Sequence, residues 1–148
     1  MERIQIRDVL IPALKARFPT RPFGPGALPN SVAAFAAEHP AIGDVEITDD
    51  GTEVTVYVGE ITHGHFNSYE PSLSETQLAQ AVSDEVLGFL ADLFADRVLL
   101  WAAPGGGQGG WQHPFDGSAP SGIRPDADLF VWSGPLSNNS RSNRELAR

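Results

Sequence analysis

The residues best equipped for chemistry are two imidazoles, His63 and His65, in the run Glu60-Ile-Thr-His63-Gly-His65-Phe66. In an extended chain alternate side chains share a face, so both rings point the same way and can reach one ion. Neutral nitrogen donors suit Zn²⁺, Ni²⁺, Cu²⁺ or Fe²⁺. Glu60, on the opposite parity, or the distant His113 would have to supply a further ligand. The same rings titrate near neutrality and suit general acid–base work, with Glu60, Tyr69 and Glu70 close by in sequence. The plainer reading is a pair of histidines hydrogen-bonded within a strand-end loop.

A nucleophile is harder to find. Thr62, Ser68 and Ser72 supply hydroxyls, but no Gly-x-Ser-x-Gly occurs and no serine stands in a strand–turn–helix context. The chain has no cysteine, which excludes disulfides, thiolate metal sites and a thiol nucleophile. The run Gly105-Gly-Gly-Gln-Gly-Gly110 differs from a phosphate-binding loop, because no Lys-Ser/Thr pair and no helical pattern follow it. It reads as a mobile loop leading to Trp111, His113 and Phe115. Trp111, flanked by glycine, reads either as a partner-facing anchor or as a cover folded back on the sheet.

Charge points to a class of partner. Residues 1–21 carry a balance of +3 and residues 136–148 a balance of +2, whereas the stretch between them carries −14, giving −9 in all. Such a middle repels phosphate backbones, so nucleic-acid binding is not expected, and it attracts a basic protein. The expectation is therefore a small acidic protein-binding domain rather than an enzyme, in the manner of a bacterial immunity protein or antitoxin-like inhibitor, with no cofactor. Its binding residues would be drawn from Glu60, His63, His65, Phe66, Tyr69, Glu70, Trp111 and His113. The alternative is a metal-binding protein or metal-dependent hydrolase centred on the His-x-His pair; a third class is an assembly subunit that uses its polar tail.

The elements that must position these residues follow from periodicity. With 41% hydrophobic and 20% charged residues, the composition is that of a globular protein. No apolar stretch has the length of a membrane span and the first residues lack a signal-peptide core, so a cytoplasmic location without a membrane partner is expected. Residues 4–18 place Ile6, Val9, Leu10 and Leu14 at helical spacing, with Pro12 predicting a kink or a start near residue 11. Alanine-rich residues 32–38 predict a short second helix capped by Asn30 or Ser31. Residues 44–48 and 52–58 alternate around Asp49-Asp50-Gly51, a β-hairpin with Val54, Val56 and Val58 on one face.

Leu73, Ser74, Gln77 and Leu78 form a capping box and staple opening a long helix to about residue 95, its buried stripe Leu78, Val82, Val86, Leu90, Leu93 and Phe94. Strands follow at residues 98–102 and 129–132, with Trp101 and Trp132 in the core and a connection over residues 104–126 between them. The predicted class is α+β: an antiparallel sheet of about four strands with the long helix and N-terminal helices on one face. Residues 1–135 form the domain, and residues 136–148 a flexible polar tail.

Overall fold

The computed structural model describes residues 4–68, 70–118 and 122–136. The class is α+β, with two helices and antiparallel sheets of five and four strands. The chain opens with α1 (Ile6–Arg17), held at its start by the Asp8 carboxylate, which accepts the Gln5 N–H at 2.9 Å. Such a bond satisfies one of the four amides a helix leaves unpaired. The helix runs on through Pro12, which is exposed, while Ile6, Leu10 and Leu14 are buried.

Five strands follow in the order in which they pair: β1 (Phe23–Gly24), β2 (Ser31–Phe35), β3 (Val45–Asp49), β4 (Glu53–Val58) and β5 (Thr62–Asn67). The hairpin read from alternation is β3–β4, in the register Val45↔Val58, Ile47↔Val56 and Asp49↔Val54. Val54, Val56 and Val58 are all fully buried, as their shared parity requires.

Residues 32–38 are not a helix. Most of them belong to β2, which pairs with β3 through Ala33↔Ile47 and Phe35↔Val45. The helix preference of alanine is worth only tenths of a kcal/mol per residue, about 0–0.7 on the intrinsic scale. It is outweighed by burial of Val32, Ala33 and Phe35. Asn30 sits at φ 61°, left-handed backbone rather than the extended backbone of an N-cap. There is accordingly one N-terminal helix among the described residues.

The long helix α2 (Glu75–Phe94) is capped as its sequence requires: Ser74 Oγ accepts the Gln77 N–H at 3.2 Å and Gln77 Oε1 accepts the Ser74 N–H at 2.9 Å. It packs with α1 on one face of the five-stranded sheet. Leu10, Leu14, Val82, Val86, Leu90 and Leu93 join Ile47, Val54, Val56 and Val58 in the main core, together with Trp132. Fully burying one such aliphatic side chain contributes about 1.5–3 kcal/mol, so this shared face dominates the stability.

The second sheet has the order β7-β6-β8-β9, formed by β6 (Leu99–Ala102), β7 (Gly109–Gln112), β8 (Asp128–Val131) and β9 (Gly134–Pro135). Here the glycine run departs from expectation, because Gly109 and Gly110 are strand residues that pair with Ala102 and Trp101. A Cβ on Gly109 would collide with the Ile61 carbonyl oxygen in the turn between β4 and β5, and one on Gly110 would lie 2.6 Å from Trp101 Nε1. Glycine lets the two sheets meet. Trp101, expected in the core, is half-buried against a smaller cluster of Leu99, Ala127 and Leu129. Leu136 packs on that cluster and donates its N–H to Leu129 O at 3.0 Å; the rest of the tail, residues 137–148, lies outside the described residues.

Candidate functional site

Neither helix packs on the second face of the five-stranded sheet at β4 and β5, and this face carries the histidines. Register places Tyr57 opposite His63, Thr55 opposite His65 and Glu53 opposite Asn67. Parity sends all six away from the valine core. The Tyr57 and His63 rings lie 5.4 Å apart at 32°, and His63 meets His65 edge-on at 5.4 Å. Both histidines are exposed. The pair thus lies within a strand, not in a strand-end loop.

Beneath His65 is a polar cluster with a definite proton order. Asp50, at the hairpin turn, folds its carboxylate back over the sheet and accepts from Thr48 Oγ1 at 3.0 Å and from Thr55 Oγ1 at 2.6 Å. Thr48 and Thr55 are 3% and 1% exposed, so water competes little for these bonds. A hydroxyl has one proton to give. With it committed to Asp50, Thr55 Oγ1 accepts from His65 Nδ1–H at 2.9 Å, and Glu53 Oε1 stands 3.4 Å from the same nitrogen. Thr55 and Glu53 therefore present acceptors to Nδ1, a pair satisfied by a proton on that nitrogen or by a cation in its place. Asp50, Glu53 and His65 each offer a donor atom within 4.8 Å of the others, a group close enough to share one metal ion.

This set differs from the one expected. It uses His65 but neither His63, Glu60 nor His113. His113 lies on the helix side of the sheet, its Nε2 2.6 Å from Asp92 Oδ2 and its ring edge-on to Phe89 at 5.6 Å. Phe66 and Trp111 also face the helix: Trp111 stacks on Phe66 at 6.3 Å and meets Phe89 at 4.4 Å. Of the two readings of Trp111, the cover is the observed one. Its indole lies over Gly64, where an added Cβ would collide with the ring. A glycine between the two histidines thus seats the tryptophan behind them.

Glu60 is exposed in the turn between β4 and β5 and lines a cleft of about 720 Å³ together with Tyr57, His63, Trp101 and residues 106–109, among others. Glu70 is exposed before α2; hydrogen bonds from the Ser72 hydroxyl at 2.8 Å and the Ser72 N–H at 3.3 Å hold its carboxyl below the usual range. Tyr69 lies outside the described residues. A second cleft of about 500 Å³, between α1 and the hairpin turn, is lined by Arg7, Asp49, Asp50 and Glu75, among others. Arg7 is held there by Asp49 at 3.4 Å.

Sequence reasoning missed Asp50, read as a turn residue, and Trp101, read as core. The signal for Asp50 was present in Thr48 and Thr55: two hydroxyls of one parity on adjacent strands need an acceptor, and the turn carboxylate is the nearest. No helix of the described residues is long and apolar enough to cross a membrane. No protein-family model matches this chain, and no curated protein or solved structure is detectably similar to it.

Proposed function

We propose that this chain is a binding domain for a basic protein partner, and that the partner docks on the uncovered face of the five-stranded sheet around Glu53, Glu60, His63 and His65. One observation carries the reading. Between Arg21 and Arg97 the sequence has no lysine or arginine, and that stretch builds every strand of the five-stranded sheet and all of α2. The nearby cations are engaged elsewhere: Arg7 with Asp49, and Arg21 with Glu38 at 2.7 Å. No lysine or arginine pairs with Asp50, Glu53 or Glu60 among the described residues.

A surface with one sign of charge raises the rate of encounter with the opposite sign, and this steering falls as salt screens it over about 8 Å at physiological ionic strength. An inhibitor that occludes a basic enzyme, such as an immunity protein or antitoxin, is the kind of role this chemistry fits. The test is capture of partners on the immobilised chain, followed by association kinetics of the purified partner across a salt series. The expected partner is basic, with an association rate that falls steeply with salt. An acidic partner with a salt-independent rate refutes the proposal.

Metal binding is a second reading, favoured by the convergence of Asp50, Glu53 and His65. Two carboxylates and one imidazole make an oxygen-rich set that suits Zn²⁺ or Mn²⁺. Calorimetric titration with Zn²⁺ tests it: stoichiometric binding lost in both His65→Ala and Glu53→Gln supports a metal centre, and the absence of saturable binding removes it.

A further inference from the structure

We infer that the cleft between β5 and the glycine turn preceding β7 receives a lysine or arginine side chain of the partner, with Tyr57, His63 and Trp101 as its walls and Glu60 as counter-charge. The inference rests on the reading of a basic partner and names the anchor. The cleft, at about 720 Å³, falls within the range of small-ligand sites and exceeds what one long side chain fills. Its aromatic walls stand on paired strands. Tyr57 and His63 are cross-strand partners whose rings face each other at 5.4 Å, and Trp101 is held over Gly110 by the pairing of β6 with β7. Gly106 and Gly107 have φ of 83° and 87°, backbone that disfavours side chains, and a Cβ at either would meet nothing within 4 Å. The turn therefore leaves the entrance clear.

The choice of a cation follows from what lines the cleft. Aromatic faces carry negative quadrupole density and attract ammonium and guanidinium groups, which are also the groups that a lining carboxylate pairs with. An anion meets the Glu60 carboxylate and the Tyr57 and Trp101 rings, and an apolar side chain gains nothing from Glu60. No lysine or arginine of the described residues lines the cleft. Arg124 reaches the lining residue Gln108, donating to its Oε1 at 3.3 Å, but its Nε and Nη2 are bound by Asp126 at 2.6 and 2.9 Å. Its charge is met by that carboxylate, and no lysine or arginine of the described residues pairs with Glu60.

The test uses the full chain and follows the Trp101 indole N–H by NMR, assigned with Trp101→Phe. The probes are N-acetyl-arginine amide and N-acetyl-trimethyllysine amide, with N-acetyl-norleucine amide as the neutral control and glucose as a sugar control. The expected result is a saturable shift with the cationic probes, a static Trp132 indole, and about two- to fivefold weaker binding in Glu60→Gln, an exposed change that leaves the fold intact. An equal response to norleucine amide, a response to glucose alone, or none to the cations would overturn the assignment. Once a basic partner is in hand, Glu60→Gln and Trp101→Phe should weaken it. If they bind it unchanged, the anchor is wrong although the partner reading stands; if the cations bind but the partner proves acidic, the partner reading falls and the cleft remains a cation site.

Discussion

Replacing Gly64 by alanine tests how the histidine-bearing strand is seated. The new methyl would point from β5 into the Trp111 ring, nearer than a Cβ packs against any neighbour. Trp111 has little room to retreat, because Phe89 lies 4.4 Å and Phe66 6.3 Å from it between centroids. Overpacking of this kind costs about 1–3 kcal/mol. Against it stands a gain of about 0.4–1 kcal/mol from restricting the unfolded chain. From the middle of these ranges the net loss should be about 1.3 kcal/mol, a fall in unfolding midpoint of about 3–5 °C for a chain of this length. Thermal and urea unfolding of Gly64→Ala, Trp111→Ala and the double variant give the coupling directly. With the ring removed, the added methyl should no longer destabilise and should recover the entropic gain. If Gly64→Ala destabilises equally in both backgrounds, or not at all, the seating of Trp111 on Gly64 is refuted.

Asp96→Ala should cost about 1–3 kcal/mol, read from denaturant unfolding, because Asp96 accepts from Ser133 Oγ at 2.6 Å and Ser133 N–H at 3.0 Å, and alanine would inherit its φ of 62°. The Glu38 carboxyl is held below its ordinary range, first by the hydrogen bond from Arg21. A depressed folded value means that the pair's contribution is present above the unfolded value and is lost as pH falls through the folded one. Glu38→Gln should therefore flatten stability against pH on the acid side of about 4.5 and leave its shape near neutrality unchanged. Deleting residues 137–148 should leave the unfolding midpoint nearly unchanged, whereas deletion from residue 136 should lower it, because Leu136 packs on Leu99, Ala127 and Leu129.

What the sequence made legible was local. The β3–β4 hairpin followed from strict alternation, and α2 from Ser74 and Gln77, whose reciprocal bonds need only residues three apart. What it hid was decided by distant neighbours. Strand β2 carries helix-forming alanines, and it is a strand because β3 needs a partner whose Phe35 and Ala33 complete the core. Strand β7 opens with two glycines, which are explained by backbone and indole that approach from Ile61 and Trp101. The shared face of His63 and His65 was readable from parity alone. Their companions were not: His113 is drawn to Asp92 on the opposite side of the sheet, while Asp50 reaches His65 through Thr55.

The most direct measurement of the central claim compares charge reversals on the two acidic surfaces. With the captured partner in solution, association and dissociation rates are recorded for Glu53→Lys/Glu60→Lys on the open sheet face and for Asp84→Lys/Glu85→Lys on the solvent side of α2. All four residues are carboxylates of the same cation-free stretch, so net charge changes equally in both variants. Docking on the sheet face requires the sheet-face variant to lose affinity by at least about tenfold, as expected for groups at the contact, and the helix variant to be only modestly slowed in association through the weakened field. Equal losses in both variants, or a loss confined to the helix variant, would contradict it.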